Sequence, residues 1–212
     1  MQEQDWAAAQ SAFNAVYQQV PGELAPKLAL AISCEKGGLP DVAEGLYSTC
    51  AATDATYVAP AAFGLSRVRA DRQDTPGAVA ALDKVPSTSR GYPESRQLRA
   101  EVLLAGGGND LAVLDQAMRS IESVSMDGRA RQRYTVRILT QALEVVTAGN
   151  AAALGAASSR PAPTVGSHPA TEVGLRDGLE TAYRALARDA PLLEDRIGLV
   201  NKANEVRSWT LT

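Results

Sequence analysis

The sequence predicts an all-α fold, a solenoid of repeated helix pairs with additional C-terminal helices, and three observations lead to that prediction. The first is an amphipathic stretch between Pro40 and Pro60, in which apolar residues recur three or four positions apart. The second is that this pattern has copies 34 residues upstream and 35 residues downstream: Ala9, Phe13 and Val16; Ala43, Tyr47 and Cys50; Ala78, Leu82 and Val85. The third is a small residue at the same spacing between the copies, at Ala31, Ser66 and Ala100. Such a period, with two helices per unit, is typical of tetratricopeptide arrays, whose units must stack to bury their apolar faces.

The first predicted helix runs from Trp6 to Val20, and its apolar triplet matches the second helix of the later units. Pro21 and Gly22 then end it, because proline cannot continue the helical hydrogen bonding and glycine favours helix ends. Only five residues precede this helix, so the unit lacks its leading helix. We therefore expect the chain to be a piece of a longer protein that begins inside a repeat.

The next six predicted helices form three pairs. The first pair is Leu24–Lys36 with a helix that starts at Pro40. The second pair is Ala61–Ala70 with Pro76–Val85, and the third is Glu94–Leu104 with Leu111–Val124. The step from Ala78 to Ala117 is 39 residues, and the surplus lies in a glycine-rich insertion at 105–110. The apolar register then resumes, which places the last of these helices in the same array.

Beyond Gly128 the repeat spacing is lost, although helical patterns continue. Helices are predicted at Arg129–Thr147, Thr171–Asp189 and Leu192–Val206. The segment 149–170 is rich in Ala, Ser, Pro and Gly, which predicts either a long surface loop or a tether. We therefore divide the chain into tetratricopeptide-type repeats over 1–128 and an irregular helical extension over 129–212 that packs on the repeats.

The composition and charge of the chain limit which kinds of partner and which cellular compartment we expect. The chain is 45% hydrophobic but only 5% aromatic, which favours a core of closely packed, alanine-rich helices in one elongated domain. A net charge of −3 argues against a nucleic acid partner, because phosphate binding requires a clustered basic face. No run approaches the ~18 apolar residues of a membrane span, and the N-terminus lacks the features of a signal peptide. We therefore expect a cytoplasmic protein.

The chain offers little catalytic chemistry. His168 is the only histidine and lies in the loop-like segment, so a nucleophile relay would depend on a poorly placed base. Gly106, Gly107 and Gly108 are not followed by the Lys-Ser or Lys-Thr of a phosphate-binding loop. We therefore predict no catalytic and no cofactor-binding residue.

The two cysteines, Cys34 and Cys50, fall on core-facing positions of the two helices of one unit. Two buried thiols are the favoured interpretation, with a disulfide or redox pair as the alternative. Neither cysteine has a second ligand at a chelating spacing, so we predict no metal site.

Two sets of polar residues are candidates for protein binding. In tetratricopeptide arrays the first helix of each unit lines the concave surface, and the register places four residues there: Glu35, Arg67, Gln97 and Glu101. A basic patch of Arg129, Arg133 and Arg137 recurs every four residues along one helix face and is suited to carboxylate or phosphate groups. The alternative for both sets is an ordinary solvated helix face.

Five runs of residues carry a resemblance to a known family. They are Pro21–Ala31, Ala61–Ala70, Ala78–Arg90, Ala185–Pro191 and Ala203–Arg207, in order along essentially the whole chain. Together they resemble the C-terminal tetratricopeptide region of the actinobacterial serine/threonine protein kinase G family. The resemblance implies a parent with a rubredoxin-like metal module and a kinase domain that uses ATP and Mg²⁺, acting on a forkhead-associated regulator. The HRD and DFG motifs of a kinase do not occur in this sequence, so no kinase residue is assigned to it.

We therefore predict a non-catalytic scaffold that docks a substrate or regulator, braces the kinase domain of the parent, or supports dimerisation. Its expected partners are that kinase domain, the forkhead-associated regulator and a second copy of the chain. A homodimer is favoured by the apolar Trp6, Phe13 and Tyr17, which a missing leading helix would leave exposed. The alternatives are a free-standing tetratricopeptide adaptor without a kinase, and a helical hydrolase that uses His168.

Overall fold

The computed structural model describes residues 5–107, 110–152 and 163–207, and these residues form ten helices and one short β-hairpin. The helices are α1 Trp6–Gln19, α2 Leu24–Lys36, α3 Pro40–Thr53, α4 Ala55–Asp71, α5 Thr75–Leu82, α6 Tyr92–Gly107, α7 Leu111–Glu122, α8 Gly128–Ala152, α9 Glu172–Arg188 and α10 Leu193–Val206. The hairpin strands are β1 Thr164–Val165 and β2 His168–Pro169. The predicted all-α solenoid of helix pairs is confirmed.

The chain divides into two compact units, residues 1–102 and 103–212, and α6 contributes to both. In the first unit each helix packs on the next, from α1 to α5, and α2 also contacts α4. In the second unit α7, α8, α9 and α10 pack in the same sequential manner, with the hairpin against α7 and α9. The division at residue 128, which follows repeat register, stays a prediction.

Side-chain caps fix where several helices begin. A carboxylate or hydroxyl oxygen accepts a hydrogen bond from an unpaired backbone N–H of the first turn, and a capping bond of this kind stabilises a helix by about 1 kcal/mol. These capping residues are Asp5, Asp54, Asp74, Asp110 and Thr171. Pro40 opens α3 at a position where its missing N–H has no intrahelical acceptor to lose.

The repeat triplet forms the core of the first unit. Ala43, Tyr47 and Cys50 are fully buried, and the downstream copy at Ala78, Leu82 and Val85 is equally buried. The upstream copy differs, because Phe13 and Val16 of α1 are 38% and 45% exposed. The described structure therefore contains no element covering this face of α1.

Helix α4 corrects one predicted boundary. It begins at Ala55, six residues before the predicted Ala61, and Pro60 lies inside the helix. The side chain of Asp54 caps the new start by accepting from the backbone N–H of Thr56 at 2.8 Å. Proline removes one helical hydrogen bond, but the cap and the burial of Ala59 and its neighbours hold the extra turn in place.

Other boundaries also differ from the sequence-based prediction, and α6 ends at Gly107, inside the predicted glycine-rich insertion. Helix α5 ends at Leu82, and the buried Val85 lies in the turn that follows. Helix α8 continues to Ala152, into the start of the segment predicted as a loop over 149–170. The end of that segment forms the hairpin, and its middle, 153–162, lies outside the described residues.

The hairpin is held between α7 and α9. Val165 pairs with His168 and is fully buried, while Gly166 turns the chain with a φ of 58°. The backbone N–H of Gly166 donates to Asp115 Oδ1 of α7 at 2.9 Å. A side chain at Gly178 of α9 would meet the His168 ring, so the missing Cβ makes room for β2.

Candidate functional site

Two of the four predicted concave-surface residues bind each other. Arg67 of α4 forms a bidentate ion pair with Glu35 of α2. Its Nε donates to Glu35 Oε1 at 2.7 Å and its Nη2 donates to Glu35 Oε2 at 3.0 Å. The hydroxyl of Tyr47 on α3 donates to the same Oε2 at 2.5 Å. The Glu35 side chain is only 10% exposed, whereas that of Arg67 is 48% exposed. This surface therefore offers a partner the outer side of a guanidinium, not a free carboxylate.

The electrostatics of this triad follow from burial and pairing. Burial by itself raises the pKa of Glu35, but hydrogen bonds from Arg67 and Tyr47, with the charges of Arg67 and Lys36, hold that pKa below its usual value. Burial and the adjacent Glu35 carboxylate raise the pKa of the Tyr47 phenol. The hydrogen bond to Glu35 raises the pKa of Arg67 further, so the pair stays ionised at neutral pH.

The other two concave-surface candidates lie on α6. Gln97 and Glu101 are four residues apart, which places them on one helix face, and both are half-buried. Their role in binding stays a prediction.

The basic patch lies on α8 and forms part of a groove. Arg133 and Arg137 are exposed and Arg129 is half-buried. Arg129 and Arg133 line a groove of about 440 Å³, together with Leu186, Glu194, Asp195, Gly198, Leu199 and Lys202. The groove thus combines three cations with two carboxylates and an aliphatic floor, which suits a protein segment that carries charges of both signs.

Sequence reasoning missed the acidic side of this groove. Glu194 and Asp195 lie about 60 residues downstream of the arginines, in the first turn of α10, and nothing in their local pattern links them to α8. It also missed a network in which Arg72 binds Glu44 at 2.8 Å and Asp41 at 2.6 Å, joining α4 to α3. The signal that could have predicted this network is the repeat register, because it places α3 and α4 side by side.

The residues singled out for catalytic or metal chemistry can be located in the structure. No group of three or more His, Cys, Asp or Glu side chains in the described ranges is arranged to hold a metal ion. Cys34 and Cys50 are both buried and free. His168 is half-buried in the hairpin, where its ring packs beside Gly178. None of the described helices has the length and apolar character needed to cross a membrane.

A family model described as the protein kinase G tetratricopeptide repeat matches residues 1–210. The chain belongs to this family. Among similar proteins, the serine/threonine-protein kinase PknG of Mycobacterium leprae is 36% identical over 209 residues, which cover 96% of this chain and 26% of that protein. The serine/threonine-protein kinase PknG of Mycolicibacterium smegmatis is 37% identical over 206 residues, with the same two coverages. The chain therefore spans about a quarter of the length of the curated relatives it matches.

Membership of the protein kinase G tetratricopeptide repeat family confirms the resemblance drawn from the five sequence runs. It also accounts for the extra C-terminal helices, because the family model covers them together with the repeats. A tetratricopeptide region is a module for protein interactions.

Proposed function

We propose that this chain is the non-catalytic docking and regulatory region of a serine/threonine protein kinase. The observation that carries the proposal is the family match over 1–210, joined to relatives that are named as kinases and of which the chain spans 26%. In this proposal, phosphoryl transfer with ATP and Mg²⁺, and the rubredoxin-like metal module, belong to other parts of the parent protein. The repeats over 1–128 and the extension over 129–212 then form its binding surfaces.

A docking region accelerates its kinase by raising the local concentration of substrate at the active site. A substrate bound to this region is held near the attached active site at an effective concentration on the order of millimolar for a short linker. The proposed substrate or regulator is a forkhead-associated protein, as the family resemblance implies. Two free, buried thiols fit the reducing cytoplasm in which such a kinase would act.

The α8–α10 groove is the docking surface best supported by its chemistry. Arg129 and Arg133 present guanidinium groups, which bind carboxylates bidentately, and Lys202 adds a third cation. Arg137 continues the same helix face outside the groove. In the first unit, Arg67 with Gln97 and Glu101 remains the proposed second contact surface.

Self-association is a further role of the same scaffold. Phe13 and Val16 of α1 and the following Val20 are 38%, 45% and 41% exposed, whereas Trp6 and Tyr17, also expected to be exposed, are half-buried. Exposed apolar residues gathered on one helix face favour burial against a partner. We propose that α1 contacts either the kinase domain of the parent or a second copy of the chain. Light scattering over a range of concentrations tests the second arrangement, which a concentration-independent monomer would exclude.

The docking function is tested by calorimetric titration of the chain with a forkhead-associated regulator protein. We expect saturable binding that Arg129→Glu/Arg133→Glu weakens by roughly tenfold or more, because reversed charges then face the bound carboxylates. Lys84→Glu/Arg90→Glu is the matched control, since these exposed residues of the first unit give the same change in net charge. Absence of binding by the unmodified chain would contradict the proposal.

A further inference from the structure

Helices α9 and α10 enclose a second groove, which the docking surface on α8 does not use. Its volume is about 600 Å³, and its lining residues are Thr181, Arg184, Ala187, Arg188, Arg196 and Val200. Three of these side chains are arginines and none is acidic, although the whole chain carries a net charge of −3. The groove is therefore a cationic surface on an acidic protein.

Two of the three arginines have N–H donors that are available to bind a ligand. The exposed Arg188 guanidinium makes no ion pair or side-chain hydrogen bond within the described part of the chain. Arg196 donates through Nη2 to the backbone carbonyl of Ala190 at 3.3 Å, and its other N–H groups have no carboxylate partner among the described residues. Arg184 is instead held by Glu180 at 2.8 Å. Among the described residues, neither Arg188 nor Arg196 therefore forms an ion pair with a carboxylate.

An apolar stripe borders the groove on α10. Leu193, Ile197 and Val200 recur at the spacing of one helix face, and Leu193 and Ile197 are 68% and 53% exposed. Asn204 continues this face, and Arg184 of α9 donates to its Oδ1 at 3.3 Å, which locates the stripe beside the arginines. Only Ala203 of α10 is fully buried, so this helix is covered on one side alone.

We propose that the α9–α10 groove binds an acidic amphipathic helix of a protein partner. Carboxylates of that helix pair with Arg188 and Arg196, and its aliphatic side chains cover Leu193 and Ile197. A free anion or phosphate group would satisfy the arginines but leave the exposed leucine and isoleucine in water, which favours a segment with both chemistries. This inference rests on the proposed docking function and assigns it a further surface with a stated partner chemistry.

The test measures fluorescence anisotropy of a labelled synthetic helix with glutamates on one face and leucines on the adjacent face, titrated with the chain. We expect Arg188→Glu/Arg196→Glu and Leu193→Ser/Ile197→Ser each to weaken binding by roughly tenfold or more. Lys84→Glu/Arg90→Glu, with the same charge change in the first unit, should leave binding unaltered. Circular dichroism of each variant verifies that the helices are retained.

Several outcomes would overturn the proposal. They are no binding of the glutamate peptide, an equal loss in the Lys84 and Arg188 double variants, or tight binding of a phosphoserine peptide alone.

Titration with the regulator separates the two proposals. If the regulator binds Arg188→Glu/Arg196→Glu normally and the peptide does not bind the unmodified chain, docking stands and the groove assignment fails. If the peptide binds through the arginines and the regulator binds no form of the chain, the groove assignment stands and docking of the regulator fails.

Discussion

The ring of Tyr47 fills the space that any side chain at position 64 would need. A Cβ built on Gly64 of α4 would lie 2.2 Å from Cζ of Tyr47, and Tyr47 itself is fully buried. Helices α3 and α4 therefore approach each other as closely as they do because position 64 has no side chain. The repeat pattern predicts a small residue at Ser66 in this unit, and Gly64 lies one half-turn before it.

Gly64→Ala should destabilise the first unit by roughly 1–3 kcal/mol, since the added methyl group must displace a buried ring that has no free space. Chemical denaturation followed by circular dichroism measures this change. Gly45→Ala on the exposed face of α3 is the control, because its Cβ would contact nothing within 4 Å. There, helix propensity alone predicts a gain of roughly 0.5–1 kcal/mol. Equal effects of the two substitutions would contradict the close approach.

Tyr47→Phe should lower the free energy of unfolding by roughly 1.5–3 kcal/mol, the range for a hydrogen bond to a charged group. The substitution removes the hydroxyl that donates to Glu35 without changing the ring that packs on Gly64. Tyr57→Phe provides the comparison, because Tyr57 is half-buried in the same unit and its hydroxyl has no described hydrogen-bond partner. A loss no larger than that of Tyr57→Phe would show that the bond contributes nothing.

The Glu35 carboxylate should contribute to the acid sensitivity of the first unit. Its pKa is held below the unfolded value of roughly 4.3 by Arg67 and Tyr47, despite burial. The unfolded state therefore binds a proton first as the pH falls, so the stabilisation present above about pH 4.3 is lost as pH decreases through the folded pKa. Urea denaturation across this range should show a shallower acid decline for Glu35→Gln than for the exposed control Asp71→Asn. Parallel curves for the two variants would exclude the effect.

The same linkage applies to Tyr47 at alkaline pH. Burial and Glu35 raise its pKa, so the folded state keeps the phenolic proton after the unfolded chain has lost it. Stability from this group is complete below about pH 10 and decreases as the pH rises further. Denaturation midpoints between neutral pH and pH 11 should fall more for the unmodified chain than for Tyr47→Phe, and a larger fall in the variant would refute this assignment.

Gly178→Ala should loosen the hairpin of the second unit. A Cβ at this position would lie 2.7 Å from Nδ1 of His168 and 2.8 Å from Cδ1 of Leu139, so the His168 ring of β2 and the Leu139 side chain of α8 must shift. We expect a loss of roughly 1–3 kcal/mol and faster amide hydrogen exchange of Val165 and His168. Gly198→Ala on α10, where a Cβ would meet nothing within 4 Å, is the control and should leave exchange in the hairpin unaltered.

The two thiols should react only when the first unit opens. Burial raises the pKa of both Cys34 and Cys50, which lowers the thiolate fraction, and both side chains are inaccessible. Labelling with a chromogenic disulfide at mildly alkaline pH should be slow in buffer and complete in denaturant. Thr49→Cys, which introduces a thiol at an exposed position of α3, should give one rapid equivalent. Rapid labelling of the unmodified chain would contradict burial of the thiols.

The repeat register accounts for how much of the fold could be predicted. The register locates helices because each unit must bury the same face, and it correctly placed Tyr47 and Leu82 in the core. The predicted start of α4 is wrong because a proline such as Pro60 usually marks a helix boundary, whereas here the Asp54 cap begins the helix earlier. The hairpin escaped prediction because two-residue strands have too few side chains to show a period.

The candidate sites were only partly predictable, for a related reason. The register placed Glu35 and Arg67 on one surface, and neighbouring helices then brought them into contact. Periodicity reports which face a residue occupies but not which charges lie within bonding distance of each other. The groove beside Arg188 and Arg196 depends on α9 and α10 turning back on each other, and no spacing in the sequence encodes that pairing.

The triad of Glu35, Tyr47 and Arg67 also has a mechanical consequence. Its members come from α2, α3 and α4, so one carboxylate ties three successive helices together. In a solenoid each repeat contacts only its neighbours, so a pulling force can detach the repeats one at a time. Here α2 cannot separate without breaking the bonds of Glu35 to both Tyr47 of α3 and Arg67 of α4. We therefore expect the first unit to rupture under tension in a single step, which would let it transmit force along the chain up to that threshold.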